Sequence, residues 1–152
     1  MKIKLLVMDV DGTLTDGKIY MGDNGEVMKA FNVKDGYTIA HMLPEMGIIP
    51  VIITGRKSKI VENRARELGI SELYQGIENK LAQLKIVAEK YNAYSEEIAY
   101  IGDDLNDLEC IEYSGITASP ADASEMIKKR VSYVCSANGG EGVLREFIKR
   151  FF

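Results

Sequence analysis

The chain has 152 residues, with 19 Lys and Arg against 23 Asp and Glu, one His and two Cys, and its net charge is −4. This length predicts a single domain over residues 1–152, the acidic balance argues against a nucleic-acid partner, and one His excludes a multi-histidine zinc site. Cys110 and Cys135 form no CxxC pair, and no apolar run approaches the roughly 20 residues that span a bilayer, so we expect a cytoplasmic protein without a membrane partner. Taken alone, the net charge would also disfavour an anionic substrate.

Short apolar runs alternate with amphipathic stretches along the chain. Six runs rich in Val, Ile and Tyr are typical of strands buried on both faces: 3–10, 48–53, 73–74, 98–101, 116–117 and 133–134. The helix-like stretches are 35–46, 57–68, 79–91, 106–113, 121–129 and 142–151. Pro44 predicts a kink or an early end in the first of them. The alternation predicts an α/β fold, a Rossmann-like three-layer sandwich with a central, mostly parallel sheet.

Residues 18–33 break this alternation. Asn24 and Gly25 lie between two stretches of alternating apolar residues, which is a strong signal for a β-hairpin. Its apolar side chains, among them Met21, Val27 and Phe31, are too numerous for a hairpin that stands alone in water. We therefore expect the hairpin to pack against a partner.

Three of the apolar runs end in polar residues, at 9–13, 54–56 and 102–107. Ligands of an open parallel sheet bind beyond the carboxyl ends of its strands, so these three ends should share one site. Six of the nine aspartates lie in two clusters, at 9–16 and 103–107. The charges that matter for a ligand are therefore concentrated at one place, whatever the net charge.

Carboxylates gathered in this way repel one another unless a cation neutralises them. Oxygen ligands without a nearby His or Cys favour Mg²⁺ over Zn²⁺. An alternative is that the second cluster only caps a helix, where Asp and Asn accept hydrogen bonds from free N–H groups. Capping would explain Asn106 and Asp107 well, but it explains Asp103 and Asp104 poorly because they follow a strand.

Four parts of the chain, 9–15, 54–56, Lys80 and 102–107, resemble in order the four motifs of the haloacid-dehalogenase-like phosphohydrolases. The resemblance spans most of the chain and implies a Mg²⁺-dependent phosphatase. Asp11 marks a phosphatase, since the dehalogenases of this superfamily lack a carboxylate there. The gaps between the motifs hold the hairpin, helices and a short strand but leave no room for a cap domain.

The resemblance implies a role for each catalytic residue. Asp9 would attack phosphorus and form an aspartyl-phosphate, and Asp11 would act first as general acid and then as general base. Thr54 and Lys80 would hold the transferring phosphoryl oxygens. The plainer alternatives are that Thr54 only ends a strand and that Lys80 is one more solvated helix lysine.

The resemblance also implies a metal site. The carboxylates of Asp9 and Asp103 and the main-chain carbonyl of Asp11 would ligate Mg²⁺, and Asp104 would support these ligands. Gly12 would let backbone N–H groups approach the phosphate.

Five segments carry a closer resemblance, to the 3-deoxy-D-manno-octulosonate 8-phosphate phosphatase group of lipopolysaccharide biosynthesis: 34–37, 54–58, 64–65, 67–70 and 139–146. The implied substrate is an acidic sugar phosphate, so Arg56 and Arg64 are candidate anchors for its carboxylate, with Gly55 and Asn106 completing the substrate site. Arg56 favours the eight-carbon sugar. The glycine-rich tail also suits enzymes of nine-carbon sialic-type sugar 9-phosphates, which remain an alternative.

The hairpin resembles the flap of capless family members, which assemble as homotetramers. We therefore expect a homotetramer with the hairpin and the C-terminal tail at the subunit interface. Two other functions are less well supported. A signalling receiver domain would need its phosphate-accepting Asp at the end of a middle strand, where this chain has Thr54. A non-catalytic accessory domain would have no need for the intact pair of Asp9 and Asp11.

Overall fold

A computed structural model describes residues 2–152, and eight β-strands lie within them. In chain order these are β1 (Leu5–Met8), β2 (Tyr20–Gly22), β3 (Gly25–Met28), β4 (Ile49–Ile53), β5 (Glu72–Tyr74), β6 (Ile98–Ile101), β7 (Ile116–Ser119) and β8 (Tyr133–Val134). Six of them form a parallel sheet in the order β5-β4-β1-β6-β7-β8. Strands β2 and β3 pair with each other as an antiparallel hairpin. The predicted α/β fold with a parallel central sheet is confirmed.

Helices connect the strands of the sheet. They are α1 (Val33–Tyr37), α2 (Leu43–Met46), α3 (Lys59–Glu67), α4 (Lys80–Lys90), α5 (Leu108–Tyr113), α6 (Glu125–Lys128) and α7 (Val143–Phe151). Short 3₁₀ turns lie at Ser95–Glu97 and Leu105–Asp107. Within residues 2–152, no helix combines the length and the apolar character that crossing a membrane requires.

The sheet separates two hydrophobic cores because successive side chains of a strand point to opposite faces. On the central strand β1, Leu6 and Met8 pack towards α2, α3 and α7, whereas Leu5 and Val7 pack towards α4, α5 and α6. All four are fully buried, and each such side chain stabilises the fold by about 1.5–3 kcal/mol relative to exposure. Strand β1 pairs with β4 on one side and β6 on the other, so the carboxyl ends of these three strands lie together.

The predicted helix over 35–46 consists of α1, a π-helical turn at Thr38–Met42, and α2. The N–H of Leu43 bonds to the carbonyl of Thr38, five residues back. Pro44 follows directly and has no N–H to donate, while its ring would clash with the carbonyl four residues earlier in a regular helix. The wider turn relieves that clash, so the expected irregularity lies one turn before the proline.

The predicted helix over 121–129 is shorter in the structure, where α6 is only Glu125–Lys128. Residues before it form a turn in which the N–H of Ala123 bonds to the carbonyl of Pro120. Asp122 in this turn accepts a hydrogen bond from the N–H of Gly139 at 3.0 Å. Asp122 therefore connects this turn to a distant segment, which the helical pattern did not indicate.

Candidate active site

A pocket opens where the carboxyl ends of β1, β4 and β6 meet. Eight of the residues predicted for the site line it: Asp9, Asp11, Thr54, Gly55, Arg56, Asp103, Asp104 and Asn106. Lys80 reaches the same place from the first residue of α4, and Gly12 lies in the loop that carries Asp9. The structure therefore brings together ten of the eleven predicted site residues.

A tight loop after β1 presents Asp9 to the pocket. The N–H of Asp9 bonds to the carbonyl of Ile101 on β6 at 3.1 Å, and Asp9 is buried. The backbone N–H groups of residues 13, 14 and 15 all donate to the carbonyl of Val10. The hydroxyl of Thr15 accepts from the N–H groups of Gly12 and Gly17. This bonding fixes the direction in which the loop leaves the sheet.

Gly12 has a positive φ of 91° and packs beneath the carboxylate of Asp103. A Cβ atom at this position would lie 2.1 Å from Oδ2 of Asp103, which is far inside contact distance. A side chain here would therefore displace a predicted metal ligand. The close approach that Gly12 permits in this structure is to Asp103, and its predicted role beside a phosphate stays a prediction.

Lys80 lies below the pocket with its side chain almost fully buried. Its Nζ is 2.8 Å from Oδ1 of Asp9 and 2.8 Å from Oδ1 of Asp107. Burial alone would lower the pKa of Lys80, but the two carboxylates outweigh burial and raise that pKa above its ordinary value. The first turn of a helix disfavours a cation, so these carboxylates are what hold Lys80 charged at this position.

Asp107 is fully buried and accepts four hydrogen bonds. Lys80 and the hydroxyl of Tyr100 donate to Oδ1, the latter at 2.6 Å, while the N–H groups of Asp103 and Asp104 donate to Oδ2. From its sequence position Asp107 was explained as a helix-capping residue and was not among the predicted site residues. In the structure it bonds to the loop after β6 and orients Lys80.

Carboxylate oxygens of Asp9, Asp103 and Asp107 all lie within 4.8 Å of one another. Burial, followed by the charge of Asp107, raises the pKa of Asp9. Burial, followed by the neighbouring Asp9, raises the pKa of Asp103 to about 9. Asp107 already has four donors, so Asp9 and Asp103 are the carboxylates suited to a cation. Such a pair of buried oxygen ligands fits a hard divalent ion.

The 3₁₀ turn at Leu105–Asp107 forms one wall of the pocket. Asp104 caps this turn by accepting from the N–H of Leu105 at 2.8 Å, so its carboxylate has the capping function that the sequence analysis considered a poor explanation. Asn106 projects from the same turn into the pocket wall.

Lys29, at the end of the hairpin, was not predicted for the site. Its Nζ lies 2.5 Å from Oδ1 of Asp11 and 3.1 Å from Oε2 of Glu26. Glu26 in turn accepts from Ser58 at 2.6 Å and from Arg56 at 3.4 Å. The sequence does not indicate that a lysine in a hairpin reaches the site, because this contact depends on how the hairpin folds back over the sheet.

Arg64 is the predicted site residue that the structure does not bring to the pocket. It lies on α3, where its guanidinium is 5.5 Å from the ring centroid of Phe31 and pairs with Glu67 at 3.2 Å. The side chain therefore packs against the base of the hairpin. Arg64 does not line the pocket of a single subunit, so its role as a carboxylate anchor stays a prediction.

A family model described as haloacid dehalogenase-like hydrolase matches residues 70–147. The 3-deoxy-D-manno-octulosonate 8-phosphate phosphatase KdsC of Escherichia coli is 49% identical over 144 residues, which is 95% of this chain and 76% of that protein.

Two solved structures are also similar. The crystal structure of the 3-deoxy-D-manno-octulosonate 8-phosphate phosphatase from Yersinia pestis is 44% identical with a TM-score of 0.92, over 95% of this chain and 78% of that one. The enzyme of the same name from Moraxella catarrhalis, in complex with a magnesium ion, a phosphate ion and a KDO molecule, is 41% identical with a TM-score of 0.91, over 97% and 86% of the two chains.

Proposed function

The chain belongs to the haloacid dehalogenase-like hydrolases, and we propose that it is a magnesium-dependent phosphatase of 3-deoxy-D-manno-octulosonate 8-phosphate. One observation carries this proposal: Asp9, Asp11 and Lys80 meet at one edge of the sheet in a chain that is 49% identical to a phosphatase of that substrate. The reaction cleaves a phosphate monoester, which makes the protein a phosphoric monoester hydrolase.

In the first step Asp9 is the nucleophile. One carboxylate oxygen of Asp9 attacks phosphorus, the bond between phosphorus and the sugar oxygen breaks, and its electron pair leaves with that oxygen. Asp11, which lines the same pocket, gives its proton to the departing oxygen. The products of this step are the sugar acid and a phosphorylated Asp9.

In the second step water releases the phosphate. Asp11, now a carboxylate, takes a proton from a water molecule whose oxygen attacks phosphorus. The bond between phosphorus and Asp9 breaks, so inorganic phosphate leaves and Asp9 returns to its starting form. Asp11 is then protonated again for the next cycle, and no other reactant is consumed.

Lys80 and Thr54 would hold the phosphoryl oxygens. The ammonium of Lys80 is 2.8 Å from the nucleophilic carboxylate, and Thr54 is buried at the carboxyl end of β4 within the pocket wall. Asp107 fixes Lys80 from below, so positive charge is in place before the substrate arrives. Charge fixed in advance in a buried site stabilises the transferring group more than mobile charge does.

Mg²⁺ is the cofactor, and Asp9 and Asp103 would hold it together with the main-chain carbonyl of Asp11. Bound there, the ion supplies positive charge that offsets the phosphoryl oxygens and the two carboxylates. The donor set fits, because it consists of oxygens alone and its carboxylates are buried close together. Asp104 supports this site by capping the turn that follows Asp103.

Arg56 is the residue proposed to bind the sugar's carboxylate. Its side chain is 45% exposed at the pocket mouth, where Gly55 and Asn106 also border the opening. A guanidinium binds a carboxylate through two parallel hydrogen bonds. Among the described residues 2–152, the side chain of Arg56 has one hydrogen bond, to Glu26 at 3.4 Å, which the sugar's carboxylate would replace. The acidic sugar therefore has a complementary charge above the phosphate site.

The experiment compares phosphate release from 3-deoxy-D-manno-octulosonate 8-phosphate and from a nine-carbon sugar 9-phosphate, in Mg²⁺ and in EDTA. We expect the eight-carbon substrate to have the higher kcat/KM and EDTA to remove activity. Asp9→Asn should lower kcat by more than about a thousandfold, because the nucleophile is lost. Asp16→Asn is the matched control, since Asp16 is an exposed aspartate of the same loop. Activity retained by Asp9→Asn would contradict the mechanism, and a preference for the nine-carbon ester would contradict the substrate.

The proposal extends to self-association and to location. The hairpin exposes Tyr20, Met21, Val27 and Met28, and an apolar surface of this kind supports a homotetramer with the hairpin and the C-terminal residues at the interface. Both cysteines are free and buried, which supports the cytoplasm as the location.

A further inference from the structure

The hairpin carries one side chain that is completely shielded from solvent, although its neighbours are exposed. The side chain of Lys29 is 0% exposed, whereas Met28 beside it is 54% exposed. A buried ammonium group is costly unless it is paired. Lys29 is paired twice, with Asp11 and with Glu26, so the hairpin encloses an ion-pair network directly above the loop that follows β1.

This network runs from the pocket to the start of α3. Nζ of Lys29 contacts Oδ1 of Asp11 at 2.5 Å and Oε2 of Glu26 at 3.1 Å. Oε1 of Glu26 accepts from the hydroxyl of Ser58 at 2.6 Å, and that hydroxyl also caps α3 by accepting from the N–H of Val61. Ser58 therefore anchors Glu26 to the rigid part of the molecule, and Glu26 in turn orients Lys29.

We propose that Lys29 is a positioning residue for phosphoryl transfer, which it assists by fixing the orientation of the Asp11 carboxyl group. Oδ1 of Asp11 is held by Lys29 at 2.5 Å, which restricts rotation of the carboxyl group and leaves Oδ2 for the leaving group. This inference rests on the proposed function, because it assigns a task within the reaction that Asp11 performs there.

A purely structural salt bridge would have no need of this arrangement. Glu26 has partners in Ser58 and Arg56 without the lysine, and the hairpin is also held to α3 by the contact between Phe31 and Arg64. What only Lys29 adds is a contact to the general acid. Its loss should therefore slow proton transfer to the leaving group more than it weakens substrate binding.

The test uses two leaving groups in single-turnover measurements on the 152-residue chain with Mg²⁺. The alkoxide of the sugar must be protonated as it leaves, whereas p-nitrophenolate is stable as an anion and needs no proton. With Lys29→Met we expect sugar release to slow by about 10- to 100-fold and nitrophenolate release to change by less than about threefold, with similar KM values. Lys29→Arg should recover most of the sugar-release rate, because a guanidinium can donate to the same oxygen.

Two further variants serve as a control and as a second test of the role of Lys29. Lys18→Met removes an exposed lysine that precedes the hairpin strands and should leave both rates unchanged. Glu26→Gln leaves Lys29 in place but removes the charge that orients it, so it should show a smaller loss with the same preference for the sugar substrate, even if Lys29→Met does not fold. An equal loss with both leaving groups, or no loss with either, overturns the role of Lys29. A wild-type protein that releases no sugar would instead overturn the proposed function.

Discussion

Two of the segments that contact the loop with Asp9 and Asp11, the hairpin and the segment before α7, do so by different means. The hairpin reaches the loop through a side chain, from Lys29 to Asp11. On another side, the segment before α7 reaches it through the backbone: the N–H of Gly140 donates to the carbonyl of Thr13, and Gly139 packs against the carbonyl of Gly12. Backbone contacts allow almost no adjustment, whereas a side-chain pair can rotate. The tail segment therefore sets where the loop lies, and the hairpin sets how one carboxyl group on it is oriented.

The largest effect should come from the backbone contact. A Cβ atom on Gly139 would lie 2.1 Å from the carbonyl oxygen of Gly12, so the loop or the tail must move. We expect Gly139→Ala to lower the free energy of unfolding by about 2–4 kcal/mol and kcat by more than about tenfold. Urea unfolding and steady-state kinetics measure the two effects.

Gly69→Ala is the control for this substitution. Gly69 has a positive φ of 74°, and a Cβ there would meet nothing within 4 Å, so only backbone strain of about 1 kcal/mol should result, with kcat unchanged. Normal stability and activity in Gly139→Ala would show that the tail does not determine the position of the loop.

A smaller effect concerns the attachment of the tail segment to the rest of the fold. Asp35 on α1 accepts from the N–H groups of Leu144 and Arg145 at the start of α7, and burial raises its pKa from 3.8 to about 6. The folded protein therefore holds this proton more tightly than the unfolded chain, so the stabilisation present below about pH 4 is lost as the pH rises through 6.

The loss between pH 4.5 and 7.5 should be about 2 kcal/mol for this group, from 1.36 kcal/mol per unit of pKa shift. Other carboxyl groups titrate in the same range, so the quantity to measure is the difference in unfolding free energy between the wild type and Asp35→Asn across these pH values. The unfolding free energy of the wild type should decrease relative to that of the variant as the pH rises. A difference that does not change with pH would contradict the raised pKa of Asp35.

The smallest effect on stability belongs to the outer face of the hairpin. Met21 is 63% exposed, so Met21→Lys should change the unfolding free energy of one subunit by less than about 0.5 kcal/mol. The same substitution should lower the mass measured by light scattering, because a charge at the proposed interface disfavours assembly. Ile86→Lys makes a similar exchange at an exposed site on α4 and should leave the mass unchanged. A monomeric wild type would contradict the tetramer.

The fold could be predicted largely from local pattern. Short apolar runs predicted the parallel strands, because buried strands contain few polar residues. The runs at 98–101 and 133–134 have the same bounds as β6 and β8. Asn24 and Gly25 indicated the hairpin by their turn geometry. The π-helical turn before Pro44 was not predicted in form, because the sequence shows that a proline disturbs a helix but not how the preceding turn adapts.

The candidate site was predictable where its residues follow strands, and less so elsewhere. Asp9 follows β1 directly and Asp103 is the second residue after β6, so the order of the strands was enough to bring them together. The contacts of Asp107 depend on the path of a turn, and those of Lys29 depend on how the hairpin folds back over the sheet. Neither feature produces a periodic pattern in the sequence. Arg64 was suggested by the resemblance alone, and in a single subunit it packs against Phe31 and not in the pocket, so its role stays a prediction.

The long-range contacts around the active site also affect the rate of folding. Asp9 and Lys80 are 71 residues apart in sequence, Thr13 and Asp103 are 90 apart, and Asp35 and Leu144 are 109 apart. Each pairing closes a long loop, and the entropy of that closure is lost before the contact begins to stabilise the chain. No fragment of the sheet can assemble this constellation early. During refolding, catalytic activity should therefore return with the slowest phase, and it would report the completion of the whole domain.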